Sequence, residues 1–196
     1  MKLTITLLAT LSCFVNAAQV VLTTSTDGTW IGDNSVNPNL VRMTDSFLTA
    51  FITFDVSGLS TDVLNNSDAY QLQFTYTTLN GPGGVLTSDE LSIDYVGTYT
   101  SNTFDIINTE TWRTATAVSN VFTGTVNDGV NTIDVSGIST DTFDNAYAVF
   151  RLVDTDADTT QGDILNGGAT LTFVPEPSSL ALLGLGGLAL VTRRKR

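Results

Sequence analysis

The chain has 196 residues with 20 acidic against 8 basic side chains, no histidine and one cysteine, enough for one ordinary domain with a strongly anionic surface. Residues 19–174 hold all but one of the acids and only Arg42, Arg113 and Arg151 of the bases, a balance that repels phosphate backbones and argues against a nucleic-acid partner. The same span has no histidine, lysine or cysteine, which excludes a serine–histidine or cysteine–histidine site, Schiff-base chemistry and a histidine-built zinc centre.

The first element is a leader. Met1-Lys2 is a short charged start, Leu3 to Val15 is apolar, and Val15-Asn16-Ala17 places small residues where signal peptidase needs them. Cleavage is expected after Ala17 or Ala18, making residues 1–18 a signal peptide. Lipidation of Cys13 is the rival reading, but Thr10 stands where a lipoprotein signal has an aliphatic residue.

Period-two alternation follows, the mark of half-buried strands. Leu48, Ala50, Ile52, Phe54 and Val56 share one face, and Tyr70, Leu72, Phe74 and Tyr76 repeat the pattern. Further strands fit Leu91-Ile93-Tyr95, Ile133-Val135, Ala146 to Leu152 and Ala169 to Phe173, separated by stretches rich in Gly, Asn, Asp and Ser. No span before the tail shows a helical period. The pattern predicts an all-β domain over 19–173, an antiparallel, jelly-roll-like β-sandwich, flanked by the signal peptide and a short C-terminal hydrophobic helix.

Two segments echo each other: Phe54-Asp-Val-Ser-Gly-Leu-Ser-Thr-Asp62 and Ile133-Asp-Val-Ser-Gly-Ile-Ser-Thr-Asp141. Shared turn chemistry at two strand ends accounts for the echo more simply than duplicated binding sites do. One echo does not make a solenoid.

Asp154-Thr-Asp-Ala-Asp158, followed by Gln161-Gly-Asp163, places three carboxylates on alternate positions of a loop after an apolar strand, a spacing that can wrap a hard cation. Thr159 and Leu165 stand where a helical calcium loop has its glycine and final glutamate, so the expectation is an irregular calcium loop of Asp154, Asp156, Asp158 and Asp163, set against a solvated acidic turn. No other cofactor is indicated. Trp30, Trp112, Tyr95, Tyr99 and Tyr147 are candidates for stacking on sugar rings if exposed. A carboxylate pair could serve glycoside hydrolysis, but such a pair is recognised by its separation across a cleft, and the chain is read as not an enzyme.

Ala50-Phe-Ile-Thr-Phe-Asp-Val-Ser-Gly-Leu59, the strand at Ala69 to Tyr76, Thr111-Trp112, Ile133-Asp-Val135 and the closing strand at Ala169 to Val174 resemble, in order, the DNRLRE β-sandwich modules of secreted bacterial proteins. That resemblance implies a carbohydrate-binding role. The arginine-rich segment that names the family is absent, with Asn166-Gly-Gly-Ala169 near its place.

The last element, 174–196, is a tail: Val174-Pro-Glu-Pro-Ser-Ser, an uncharged apolar run, and the basic cluster Arg193, Arg194, Lys195 and Arg196. Ser178 to Thr192 would be about 22 Å long as a helix at 1.5 Å per residue, short of a hydrocarbon core of about 30 Å. Transient inner-membrane insertion with the basic end on the cytoplasmic side follows. The prolines keep Pro175-Glu176-Pro177 extended and open to a protease cleft. This tail resembles the PEP-CTERM sorting signal. The resemblance implies processing by an exosortase, a membrane-embedded cysteine peptidase, in a Gram-negative-type bacterium that makes exopolysaccharide. The chain is then expected to be an exported surface or extracellular-matrix protein with a structural or adhesive role beside exopolysaccharide, or, alternatively, a carbohydrate-binding module.

Overall fold

Alternating burial carries the chain into eleven strands and one helix among the residues that the computed structural model describes, namely 20–31, 35–37, 41–44, 48–59, 67–79, 88–135, 138, 145–155, 161–164 and 168–175. The strands are β1 (Val20–Ile31), β2 (Ser35–Asn37), β3 (Val41–Thr44), β4 (Leu48–Asp55), β5 (Ser67–Leu79), β6 (Ser88–Tyr99), β7 (Ser119–Asn127), β8 (Gly129–Val135), β9 (Tyr147–Asp154), β10 (Gln161–Ile164) and β11 (Thr170–Pro175); helix α1 (Ile106–Thr114) lies between β6 and β7. Every described pairing is antiparallel. The expected antiparallel sandwich is present, and its two layers are joined into one nearly closed sheet.

One layer runs β8-β5-β11 and then the first half of β1. The other runs β2, the second half of β1, β4, β9, β6 and β7. β1 belongs to both because its pairing shifts between Thr24 and Thr26, a bulge that bends one strand from layer to layer. β10 and β3 bridge the same flank.

Inward-facing residues of both layers form one core. Ala50, Ile52, Phe54, Leu91, Ile93, Tyr95, Ala148, Phe150 and Leu152 come from the second layer; Tyr70, Leu72, Phe74, Tyr76, Ile133, Val135, Leu171 and Phe173 come from the first. At about 1.5–3 kcal/mol for each large apolar side chain removed from water, this burial is the main source of stability.

The helix is where the sequence expectation falls short. It covers the outer face of the second layer, where Trp112 packs on Phe51, Val96 and Val149 in a second apolar cluster. Phe51, Tyr99 and Phe104 surround the indole at centroid distances of 5.7, 6.1 and 6.2 Å. The side chain of Asp105 caps the first turn by accepting from the Asn108 N–H at 2.7 Å. Gly28 makes room for this layer: a Cβ there would lie 2.6 Å from the Phe104 ring. The bulge between Tyr95 and Gly97, with Gly97 at φ +123°, turns Val96 outward to join the cluster.

Candidate functional site

Strand directions give the sandwich two ends with different contents. At one end β1 begins and β11 finishes, with Val20 in register with Phe173 and Pro175 in register with Ser67, the first residue of β5. β4 and β8 also finish there. We call this the exit end. At the other, the turn end, β7 passes into β8 through Asp128 alone, changing layers as it does so.

The exit end carries the first residue of the predicted processing signal. β11 is held on both edges, by Val20–Thr23 of β1 and by β5, and is anchored by the buried Phe173 ring, edge-on to Tyr70 at 4.9 Å. The strand continues to Pro175, so no residue separates ladder from motif. Glu176, Pro177, the apolar run and Arg193, Arg194, Lys195 and Arg196 lie outside the described residues, as do Ala17 and Ala18. Among the described residues no helix is long and apolar enough to cross a membrane.

The two echo segments meet at this end, one from each layer. Their burial matches position by position: Phe54 with Ile133 and Val56 with Val135 buried, Asp55 with Asp134 exposed. In the first copy the Asp55 carboxylate accepts from the Ser57 N–H at 3.0 Å and its hydroxyl at 2.6 Å, turning the chain so that Leu59 packs back on the core. In the second, Ile138 occupies the corresponding buried place. Both copies thus set an apolar side chain, Leu59 and Ile138, against the core where their strands end, while the turn of the second copy lies outside the described residues.

The turn end gathers carboxylates. Asp89 and Asp154 are buried at inward-facing positions of adjacent strands, Asp154 opposite Leu91 and Asp89 two residues along. The Tyr76 hydroxyl donates to Asp89, whose other oxygen accepts from the Glu90 N–H at 2.8 Å. Beyond Asp154, the Thr155 N–H and hydroxyl donate to the Glu90 carbonyl at 2.9 and 3.2 Å, fixing the direction in which the chain leaves β9. The Asp128 carboxylate accepts from the Thr78 N–H at 2.6 Å and hydroxyl at 2.7 Å, and these bonds, the backbone one foremost, hold its pKa below the ordinary aspartate value.

Of the four expected calcium ligands, Asp154 is thus at the turn end. Asp163 lies in β10, in register with Arg42 and Thr77, rather than in an irregular loop; its side chain lies outside the description, as do Asp156 and Asp158 altogether. Among the described residues no group of three acidic, histidine or cysteine side chains is placed to hold a metal.

The sugar-stacking expectation is corrected for two rings. Trp112 and Tyr95 are buried, the first under the helix and the second in the core, because each sits at an apolar position of a packed face. Tyr99 and Tyr147 are half-buried register partners at the exit end, and the side chain of Trp30 is not described. Burial pushes the Tyr99 phenol up, partly offset by Arg151.

One organising residue escaped the sequence reading. The Arg151 guanidinium pairs with Asp94 at 2.7 Å, and its Nη1 donates to the carbonyls of Trp112, Arg113 and Ala115 at 3.3, 2.7 and 3.0 Å. It thereby closes the C-terminal end of α1, where a cation complements the helix dipole. The available signal was a lone arginine between Phe150 and Leu152 in a domain with three.

Comparison with known proteins bears on the exit end alone. No curated protein matches the chain. Residues 173–196 match the family model of the PEP-CTERM protein-sorting motif, so the tail that begins at the end of β11 carries the signal of an exported protein, sorted to the cell surface through an exosortase-type enzyme.

Proposed function

We propose that this chain is a non-enzymatic structural or adhesive component of the cell surface or extracellular matrix, associated with exopolysaccharide and delivered by removal of its tail. The observation that carries the reading is the match of residues 173–196 to a sorting motif, set directly on the last strand of a sandwich. Two features support a matrix role for the domain. Its surface is strongly anionic, which keeps an exported β protein from associating through its edges. Its ends differ, the tail leaving from the one that bears the exposed Asp55 and Asp134 and β7 passing into β8 at the other, beside Asp89, Asp128 and Asp154. Replacing Pro175, Glu176 and Pro177 with alanine is expected to leave the protein in the inner-membrane fraction; matrix delivery at the normal level would sink the reading.

A second reading is favoured by Asp89 and Asp154, two buried carboxylates beside the chain that continues into Asp156 and Asp158. In it the turn end binds calcium and, through calcium, sugar hydroxyls. A glycan array probed with and without calcium tests it: calcium-dependent retention supports a carbohydrate-binding module, and no retention in either condition counts against one.

A further inference from the structure

The motif and the fold share a residue. Pro175 opens the processing signal and is also the last residue of β11, in register with Ser67. A protease cleft takes its substrate as an extended segment, commonly by pairing with the segment's own backbone edges. Over Thr170–Phe173 both edges of β11 are already used, by β1 and by β5, and the Phe173 ring is locked in the core. An enzyme gripping Pro175–Pro177 from the N-terminal side meets a ladder instead of a free strand.

The ladder is weakest at its end. Its register shifts between Val174 and Pro175, and Pro175 has no N–H to donate. Strand ends of this kind open locally without unfolding the domain.

We propose that the sandwich gates its own tail removal, the motif being cut from a state in which the end of β11 has lifted off β5. This rests on the sorting reading and adds a kinetic consequence. The cleavage rate follows the population of the lifted end, as it does for any substrate whose opening and closing are fast relative to cutting. The unlifted domain stays tethered at the membrane by the tail, so release is slow for a firmly paired β11 and fast for a loosened one.

The test measures tail loss over time by intact mass in cells that supply the processing enzyme. One full-length variant carries a flexible Gly-Ser spacer of about six residues between Val174 and Pro175, enough to extend past the ladder at about 3.3 Å per residue. Its cleavage is expected to be about tenfold faster, the gain from removing a modest opening equilibrium. A second variant, Ala69→Cys with Val174→Cys, joins two register partners across the end of the ladder and is expected to slow cleavage until a reductant is added. Equal rates for the spaced and unspaced chains would overturn the proposal, as would a stapled chain cut equally fast with and without reductant. Continued tail loss after Pro175→Ala, Glu176→Ala and Pro177→Ala refutes the sorting reading itself, a separate result.

Discussion

Arg151 shows how one residue ties a strand, a neighbouring strand and a helix together. Its side chain is 14% exposed and that of Asp94 is 17%, so their attraction is little screened and the loss of one leaves the other buried and uncompensated. Arg151→Met is therefore expected to destabilise the domain by about 3 kcal/mol in denaturant unfolding, and the double change Arg151→Met with Asp94→Leu to recover much of that loss. Equal losses in the single and double variants would mean that the guanidinium acts through the α1 carbonyls alone. Asp128 acts at the turn end and is exposed. Its folded-state pKa is depressed by Thr78, so its stabilising effect is present above the ordinary aspartate value of 3.8 and is lost as pH falls below it. Asp128→Asn is expected to show a smaller loss of stability between pH 5 and 2 than the parent, read from thermal unfolding across roughly that acid range.

Among the elements, β4, β5, β6, β9 and β11 were legible because each sets apolar residues at every second position of the face that meets the other layer, although β4 and β9 are also buried on the outer face, at Phe51 and Val149. The hidden ones lack that contrast. β7 has few buried positions, β1 changes layers midway and so breaks its own period, and β10 lies within a stretch that reads as an acidic loop. Helix α1 was missed for a related reason: three of its nine residues are threonine, only Thr109 and Trp112 are buried, and the apolar pair Ile106 and Ile107 faces solvent. Its legible signals were local ones, Asp105 three residues before Asn108 and Glu110 three before Arg113, joined at 2.5 Å. Since Trp112 is the buried apolar side chain that the helix sets against Phe51, Val96 and Val149, Trp112→Ala is expected to cost about 3–5 kcal/mol. Hydrogen exchange should then show protection lost first across α1 and the outer face of β4 and β9, with β5 and β8 still protected.

On the scale of the whole molecule, the processing signal was legible in full because its chemistry is a contiguous string of prolines, apolar residues and cations. What no string reveals is that the signal starts inside a ladder, which depends on Ser67 and Val20 lying beside residues more than a hundred positions away. The same topology sends β1 and β11 out at one end, beside the exposed Asp55 and Asp134, and sets Asp128 with the buried Asp89 and Asp154 at the other. The central claim is that the tail is a temporary address. Intact mass spectrometry of the protein recovered from the outside of the producing cells tests it most directly. The account predicts a C-terminus at or near Pro175–Pro177, without the apolar run; recovery of surface protein that still ends in Arg193, Arg194, Lys195 and Arg196 would contradict it.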